Sequence, residues 1–572
     1  MLRLKADKEL LRLLGIKYDE AKKTGLLLAA AVAGIGIAVI ALGLISRQIM
    51  MAAAGLVVVL VAPLMLMYPA LEASSRIKRL EGELLPVAVY ASLYTSAERD
   101  MSEGLFAFSK AENKTIAPTT YTFVTNLERW RVQKLIPTPH EALGDAARLL
   151  EGTKVAEVFN TMAVARTVGL SQYMQARDVL KSVLFELKSA YTRLEESMKL
   201  LGEVVLVFFG VLPLMLLIML SIFYSRSAAL QLPAYVFLGI PFMGIALAYL
   251  TDSAYPKTPE SFARYYKMYL PAIAAGVVAS VAAYFALLRL LPTPKLSYTS
   301  LLQSPGLYTY VAINIESSYA LAIAVAVGAM VFGAVALPRY LAYSRWKWQV
   351  MSALPYFTRD LAELIKTGLM PAQAIMRIVE RKRYNKGFDG VLKNIARRVA
   401  AGATFAEAAK QEASRLPWLA AVLFNSLGEA ERLGAKHETF AELADISRDV
   451  VDIMKSATAS TRGAVIFGII TIVIIASMLG VVAKSLLFQV ADYGTSFKSS
   501  QVQSAMPMNI QLIGWSDVPV VLRYSLLGAV LNSIVLGILI GKIGDGNFTS
   551  IPLYVTIASA LVVAALLISI FL

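Results

Sequence analysis

The sequence predicts an all-α, polytopic membrane protein of about nine transmembrane helices, carrying two repeated helical bundles on the cytoplasmic side. Three observations predict it. Apolar residues make up 57% of the chain and charged residues 17%, with a mean hydropathy of +0.61, far from a soluble composition. Uncharged runs of about 20 residues recur, long enough to cross a hydrocarbon core as helices whose backbone bonds are satisfied internally. Between these runs lie two charged, helix-patterned blocks that share an ordered set of signals.

In chain order, residues 1–24 read as a cytoplasmic basic arm with 7 Lys and Arg against 4 Asp and Glu. Two spans fill residues 25–71, Gly25–Ile45 and Met50–Leu71. The first is too long for a cleaved signal peptide and lies behind a charged arm, with a second span directly after it. Residues 72–203 form the first bundle. Three spans follow within 204–291: Val204–Tyr224, Leu230–Leu250 and Leu270–Leu288. An outside loop, 292–317, leads to the span Ser318–Leu337 and then to the second bundle, 338–462. The span Gly463–Ala483, an outside loop at 484–517 and two spans in 518–572 come last. Those two are Val518–Ile540, interrupted by Arg523 near one end, and Ile551–Leu572.

With a cytoplasmic N-terminus, nine spans put both blocks inside together with 48 of the 55 Lys and Arg. Long domains weigh little in the positive-inside rule, so the short basic arm carries this orientation. The expected location is the cell membrane, multi-pass, with the N-terminus and both large domains cytoplasmic. The +15 net charge is spread over membrane-flanking segments and one basic block. That distribution points to membrane lipid and an acidic partner, and to no nucleic acid. Zero cysteines exclude disulfides, thiolate metal sites and a cysteine nucleophile.

The repeat is read from four matches in the same order. Leu85-Pro86-Val87 and Leu354-Pro355-Tyr356 each predict a helix start, with proline in the first turn. Ser102 and Pro371 then mark a second helix start. Arg148–Glu157, around Gly152, answers Arg398–Glu407, around Gly402. Ala163–Gly169 answers Gly428–Gly434. The offsets of 269, 250 and 265 residues let loop lengths differ while the order holds. Within the second block, Val391, Leu392, Ile395 and Val399 fall on one helical face, as do Phe440, Leu443, Ile446, Val450 and Met454. Gly387, Gly390, Gly402 and Pro417 fall between such runs. The last helix of each block is expected to run straight into a span, Lys188–Glu203 into Val204 and Glu438–Arg462 into Gly463, so that movement of a bundle reaches the membrane mechanically.

No catalytic signature emerges, and the chain is read as not an enzyme, with no cofactor, no metal site and no catalytic residue. Gly152-Thr153-Lys154 and Gly541-Lys542 lack the spaced glycines of a phosphate loop. His140 and His437 sit in different blocks, which speaks against a two-histidine site, and each is read as an ordinary surface residue. Glu429 and Glu431 diverge by roughly 200° on a helix and cannot form a catalytic pair. Glu429 is read as holding a neighbouring helix through a backbone or arginine contact, ahead of a partner contact. The span interiors carry almost no ionisable residue, Arg289 and Arg523 lying near span ends where they can snorkel; this argues against ion-coupled transport. Gly34-Ile35-Gly36, Ala326-Val327-Gly328 and Gly528-Ala529 suit close helix packing.

One cluster of charge stands out. Arg377, Arg381, Lys382, Arg383, Lys386, Lys393, Arg397 and Arg398 fall within 22 residues. The second block carries 20 basic against 13 acidic residues, whereas the first balances 17 against 17. The cluster reads equally as a solvated face near anionic headgroups and as a docking surface for an acidic cytosolic partner.

The Leu-Pro starts at Pro86 and Pro355, the Thr367–Ile375 turn with Gly368 and Pro371, the Gly402–Glu407 segment and Gly428–Gly434 with Glu429 resemble the type II secretion system protein F family. These are the polytopic platform proteins of type II secretion and type IV pilus machines. In the first block Val164 replaces the glutamate and Arg99 occupies the glycine turn. The arrangement of spans looks closer to the archaeal pilus and archaellum platform proteins than to the shorter bacterial form. The resemblance implies a membrane platform that couples a separate hexameric secretion ATPase to insertion of prepilin or archaellin subunits into a filament, and a homodimer as its assembly. Bacterial relatives imply a divalent cation in such bundles, which no residue pattern here resolves. The alternative class is a membrane transporter or flippase with repeated halves, disfavoured by the uncharged spans and the size of the repeats. A purely scaffolding receptor would be told apart by the absence of a neighbouring secretion-ATPase gene.

Overall fold

The structure is a computed structural model that describes residues 8–45, 55–56, 58–60, 62–165, 171–222, 232–233, 235–260, 266–267, 269–291, 298–302, 304–498 and 513–571. It is helical almost throughout, with no strand among the described residues. The chain divides into two compact units. Unit 1 comprises Met1–Ala190, Pro256–Glu260 and Arg345–Met454; unit 2 comprises Tyr191–Tyr255, Ser261–Ser344 and Lys455–Leu572.

Unit 1 opens with α1 (Lys8–Leu13) and α2 (Tyr18–Ile45). The described part of the predicted basic arm is not a free arm. Leu10, Leu11, Leu13 and Leu14 are buried, Arg76 donates to the Leu14 carbonyl at 2.7 Å, and Lys134 pairs with Glu9 at 2.8 Å. The leucine-rich composition of α1 explains this, because a six-residue helix is too short to hold without tertiary burial. The first block continues as α3 (Tyr68–Gly82), α4 (Leu84–Ser96), α5 (Met101–Phe106), α6 (Pro118–Gln133), α7 (Pro139–Leu149), α8 (Lys154–Val164) and α9 (Gln172–Val205).

In unit 2, α9 passes through a π-helical stretch, Leu206–Val211, into α10 (Leu212–Ile222). The buried Asn532 side chain donates to the Phe209 carbonyl at 2.7 Å, satisfying an acceptor within that irregular turn. A second π stretch, Tyr235–Gly239, opens α11 (Ile240–Ala254), followed by α12 (Tyr269–Leu290), α13 (Thr299–Leu302) and α14 (Pro305–Lys366). The second block then runs as the end of α14, α15 (Pro371–Arg381), α16 (Lys386–Ala400), α17 (Phe405–Ala413), α18 (Trp418–Arg432) and α19 (His437–Lys498), and α20 (Val518–Asp545) and α21 (Ile551–Phe571) follow. Nine helices among the described residues are long and apolar enough to cross a membrane, one for each predicted span. Unit 2 buries Phe209, Ile472, Leu536 and Ile540 in one cluster and Phe488, Trp515, Leu522 and Tyr319 in another.

Three predicted boundaries move. Pro355 does not start a helix: α14 is unbroken from Pro305 to Lys366, and Pro355 lies inside it without a backbone N–H for the Met351 carbonyl. Thr358 supports this turn by donating its hydroxyl to the carbonyls of Leu354 at 3.0 Å and Pro355 at 3.1 Å. The helix start marked by Ser102 holds: α5 opens at Met101, and Asp100 caps it by accepting from the Ser102 amide at 2.8 Å. Residues 305–317 and 484–498, expected in outside loops, belong to α14 and α19, and 499–512 lie outside the described residues, as does Gly169 of the fourth repeat match.

The helix order of the blocks agrees, and their turns set the register. α4 and α14 both end on a left-handed residue, Glu98 (φ 61°) and Gly368 (φ 90°), each followed by an amide that bonds to the carbonyl five residues back, Arg99 to Tyr94 and Leu369 to Leu364. The left-handed position therefore belongs to Glu98 and not to Arg99. α6 and α16 end the same way on Leu135 (φ 55°) and Gly402 (φ 95°), with Ile136 bonding to Arg131 and Ala403 to Arg398. Directly afterwards, Thr138 caps α7 by accepting from the Glu141 amide, and Thr404 caps α17 by accepting from the Glu407 amide. The true counterpart of Gly402 is thus Leu135. Gly152 lies one helix later, and its match with Gly402 came from a similar run of letters.

Candidate functional site: the seam between the two repeats

Both blocks share one continuous core. Phe123 and Phe159 contribute from the first, and Phe357, Phe388 and Phe424 cluster in the second, Phe357 and Phe424 stacked at 5.5 Å. Two helices lie at its centre. α4 is buried from Leu84 to Thr95 and α18 from Trp418 to Ala430. A helix apolar all round belongs inside. Of the polar groups on them, Thr95 and Ser426 bond carbonyls of their own helices and Tyr90 bonds Asn113, while Ser92, Tyr94, Trp418 and Glu429 find partners across the repeat boundary.

The strongest such contact centres on Glu429, only 2% exposed. Tyr94 of the first block donates its hydroxyl to Glu429 Oε1 at 2.8 Å. Arg432 donates Nε to Glu429 Oε2 at 3.1 Å and Nη2 to both Glu429 Oε1 and the Tyr94 hydroxyl, the last at 3.0 Å. Lys410 approaches Oε2 at 3.6 Å. Burial alone would push the carboxyl up, but the bonds from Arg432 and Tyr94 and the charges of Arg432 and Lys410 outweigh it. Glu429 is held below the usual carboxylate range. Burial, followed by the charge and hydrogen bond of Glu429, pushes the Tyr94 phenol up, so it remains a donor. Gly428 completes the arrangement, since a Cβ there would meet Ala406 Cα at 3.0 Å; only glycine lets α17 and α18 approach so closely.

Further contacts join the blocks. Trp418 donates its indole N–H to the Ile116 carbonyl at 2.8 Å. Ser92 donates to Glu442 Oε2 at 3.4 Å, Arg177 Nε lies 3.6 Å from Glu442 Oε1, and Thr439 bonds Ser96 at 3.2 Å. Burial pushes Glu442 up despite Arg177. Glu431 turns away from Glu429, as its spacing requires, and accepts the Ala406 amide at 2.8 Å at the start of α17.

The basic cluster divides. Arg377, Arg381, Arg383, Lys386, Lys393 and Arg397 are exposed and carry no ion pair among the described residues. Lys382 is tied to Asp360 at 2.5 Å, and Arg398 is half-buried between Gln411 and Glu412. Those two belong to the fold of the block. Of the other motif residues, Pro86 lies in the first turn of α4 and Pro371 opens α15, while Gly368, Gly402 and Gly434 take positive φ after helix ends. His437 is exposed, but His140 is a partly buried partner of Asp100 at 3.2 Å. Sequence reasoning reached Glu429 and, through the three-residue spacing, could reach Arg432. Tyr94 carries no sequence signal, because it meets Glu429 across 335 positions.

Nine helices among the described residues that are long and apolar enough to cross a membrane, with two helical blocks that share one core, define a polytopic all-α membrane protein. Residues 357–483, from the second block into the apolar part of α19, match the family model of type II secretion system (T2SS), protein F. The chain carries a protein F domain there. No curated protein and no solved structure matches the chain.

Proposed function

We propose that the protein is the membrane platform of a type IV pilus-like machine, of the archaeal pilus or archaellum kind. The two blocks face the cytoplasm, receive movement from a separate hexameric secretion ATPase and pass it to the spans, so that prepilin-type subunits leave the membrane for a filament. The chain performs no chemistry of its own. The observation that carries this reading is the protein F match over a segment in which one helix, α19, holds both the domain core (Phe440, Leu443, Ile446 and Val450, all buried) and an apolar span. A second support is the exposed basic face of α15 and α16. Charge of one sign steers an acidic partner and weakens with salt, because exposed charges are screened over about 8 Å at physiological ionic strength.

The test uses the full chain in detergent with a hexameric secretion ATPase from the same organism. Reversing Arg377, Arg381, Arg383, Lys393 and Arg397 to Glu, while sparing Lys382 and Arg398, should leave insertion and thermal unfolding unchanged. Binding of the ATPase should fall at least tenfold, more at low salt than at high, and filaments should be lost. Filaments that persist after deletion of the gene would overturn the platform reading. Unchanged ATPase binding in the reversed protein would remove the basic face from it.

A further inference from the structure

The turn between α20 and α21 gathers polar contacts from four other helices of unit 2. Tyr255, just past α11, donates its hydroxyl to the Ile543 carbonyl at 2.5 Å. Tyr269 at the start of α12 donates to the Phe548 carbonyl at 2.6 Å. Tyr340 of α14 reaches the Asp545 carboxylate at 3.3 Å, and Thr461 of α19 reaches the Gly544 carbonyl at 3.5 Å. Lys542, 6% exposed, pairs with Asp252 of α11 at 3.0 Å and lies 4.3 Å from the Phe548 ring centroid. Gly546 closes α20 with φ 72°, and a Cβ there would lie 2.5 Å from the Tyr255 ring.

The last carbonyls of a helix lack partners within it and must be satisfied somehow. Ile543 is 1% exposed, so water does not serve its carbonyl. Hydroxyls from separate helices take the place instead, which ties those helices to one turn. α14 and α19 are also the helices that continue into the second block, Tyr340 standing shortly before Arg345 and Thr461 shortly after Met454.

We propose that the α20–α21 turn is a rigid joint that makes the ends of α11, α12, α14 and α19 move as one body. Displacement arriving along α14 and α19 then moves four helices together instead of two singly. The source of the displacement rests on the platform reading; the joint itself does not. The chain has no cysteine, so nitroxides at Ser253→Cys on α11 and Ala342→Cys on α14, both exposed, report on the joint alone by pulsed EPR. The unaltered background should give one narrow distance distribution. Tyr255→Phe, Tyr269→Phe and Tyr340→Phe together should at least double its width. Should the triple variant fail to insert, Tyr269→Phe alone should broaden it by a smaller, measurable amount. Equal widths with and without the hydroxyls would overturn the joint and leave the platform reading untouched. An unaltered protein that fails to bind the ATPase would do the reverse.

Discussion

The first and second blocks reach the same turns with different residues. Where the second block uses Gly368 and Gly402 after its first and third helices, the first uses Glu98 and Leu135 in the same left-handed conformation and with the same backbone bonds. Glycine accepts that conformation freely, whereas a residue with a Cβ is strained by roughly 1–2 kcal/mol. Leu135 is also 88% exposed, so no burial offsets its strain. The two blocks therefore share backbone geometry at positions where they do not share residue identity. The second block retains the glycines and the seam glutamate, and it alone matches protein F.

The largest effect expected on this comparison comes from the seam. Glu429→Gln should cost about 2 kcal/mol of unfolding free energy, below the ~3–5 kcal/mol of a fully buried pair because 43% of the Arg432 side chain stays exposed. Val164, its counterpart in the sequence matching, should tolerate the same change to Gln within about 0.5 kcal/mol. Chemical denaturation of the detergent-solubilised chain would compare them.

The penalty at Glu429 should depend on pH in a defined sense. A carboxyl held low in the folded state adds stability that is complete above its unfolded pKa, about 4.3, and lost as pH falls through the folded value. Glu83, Glu431 and Glu442, pushed up by burial, act in the opposite sense and gain stability as pH falls. The Glu429→Gln difference isolates the first contribution. It should be full near neutrality and shrink below about pH 4, as denaturation midpoints measured between pH 3 and 7 would show.

Smaller effects test the turns. Gly402→Ala, where nothing crowds the added Cβ, should destabilise by about 1 kcal/mol through conformation alone. Leu135→Gly should do the opposite, stabilising by about 0.5–1 kcal/mol. Equal signs for the two would break the equivalence drawn between these positions. Calorimetry of the two variants side by side gives the sign directly.

Much of this was legible beforehand, for physical reasons. Spans announce themselves through uncharged length, and the helical faces of Val391–Val399 and Phe440–Met454 through their period, because burial acts on single helices. Long-range pairing left less trace. Tyr94 is one buried tyrosine among many until α4 meets α18. Pro355 resembles a helix start because proline is common there; the uninterrupted pattern of α14 overrides it. Gly152 resembles Gly402 because both take positive φ before a threonine cap, a local likeness repeated at different helices. Charge was read correctly as exposed at Arg377, Lys382 and Arg397 but not at Arg398; the pairing of Lys382 with Asp360 and of Arg398 with Glu412 left no trace, since those carboxylates become neighbours only on folding.

A double-mutant cycle between Tyr94→Phe and Glu429→Gln tests the central claim most directly, namely that the two repeats form one bundle through a buried polar seam. The single variants should not add. A hydrogen bond to a buried carboxylate predicts a coupling of about 1.5–3 kcal/mol in reversible unfolding of the full chain. Coupling within about 0.3–0.5 kcal/mol of zero, the scatter seen for independent sites, would mean that the repeats are stabilised separately and would contradict the account.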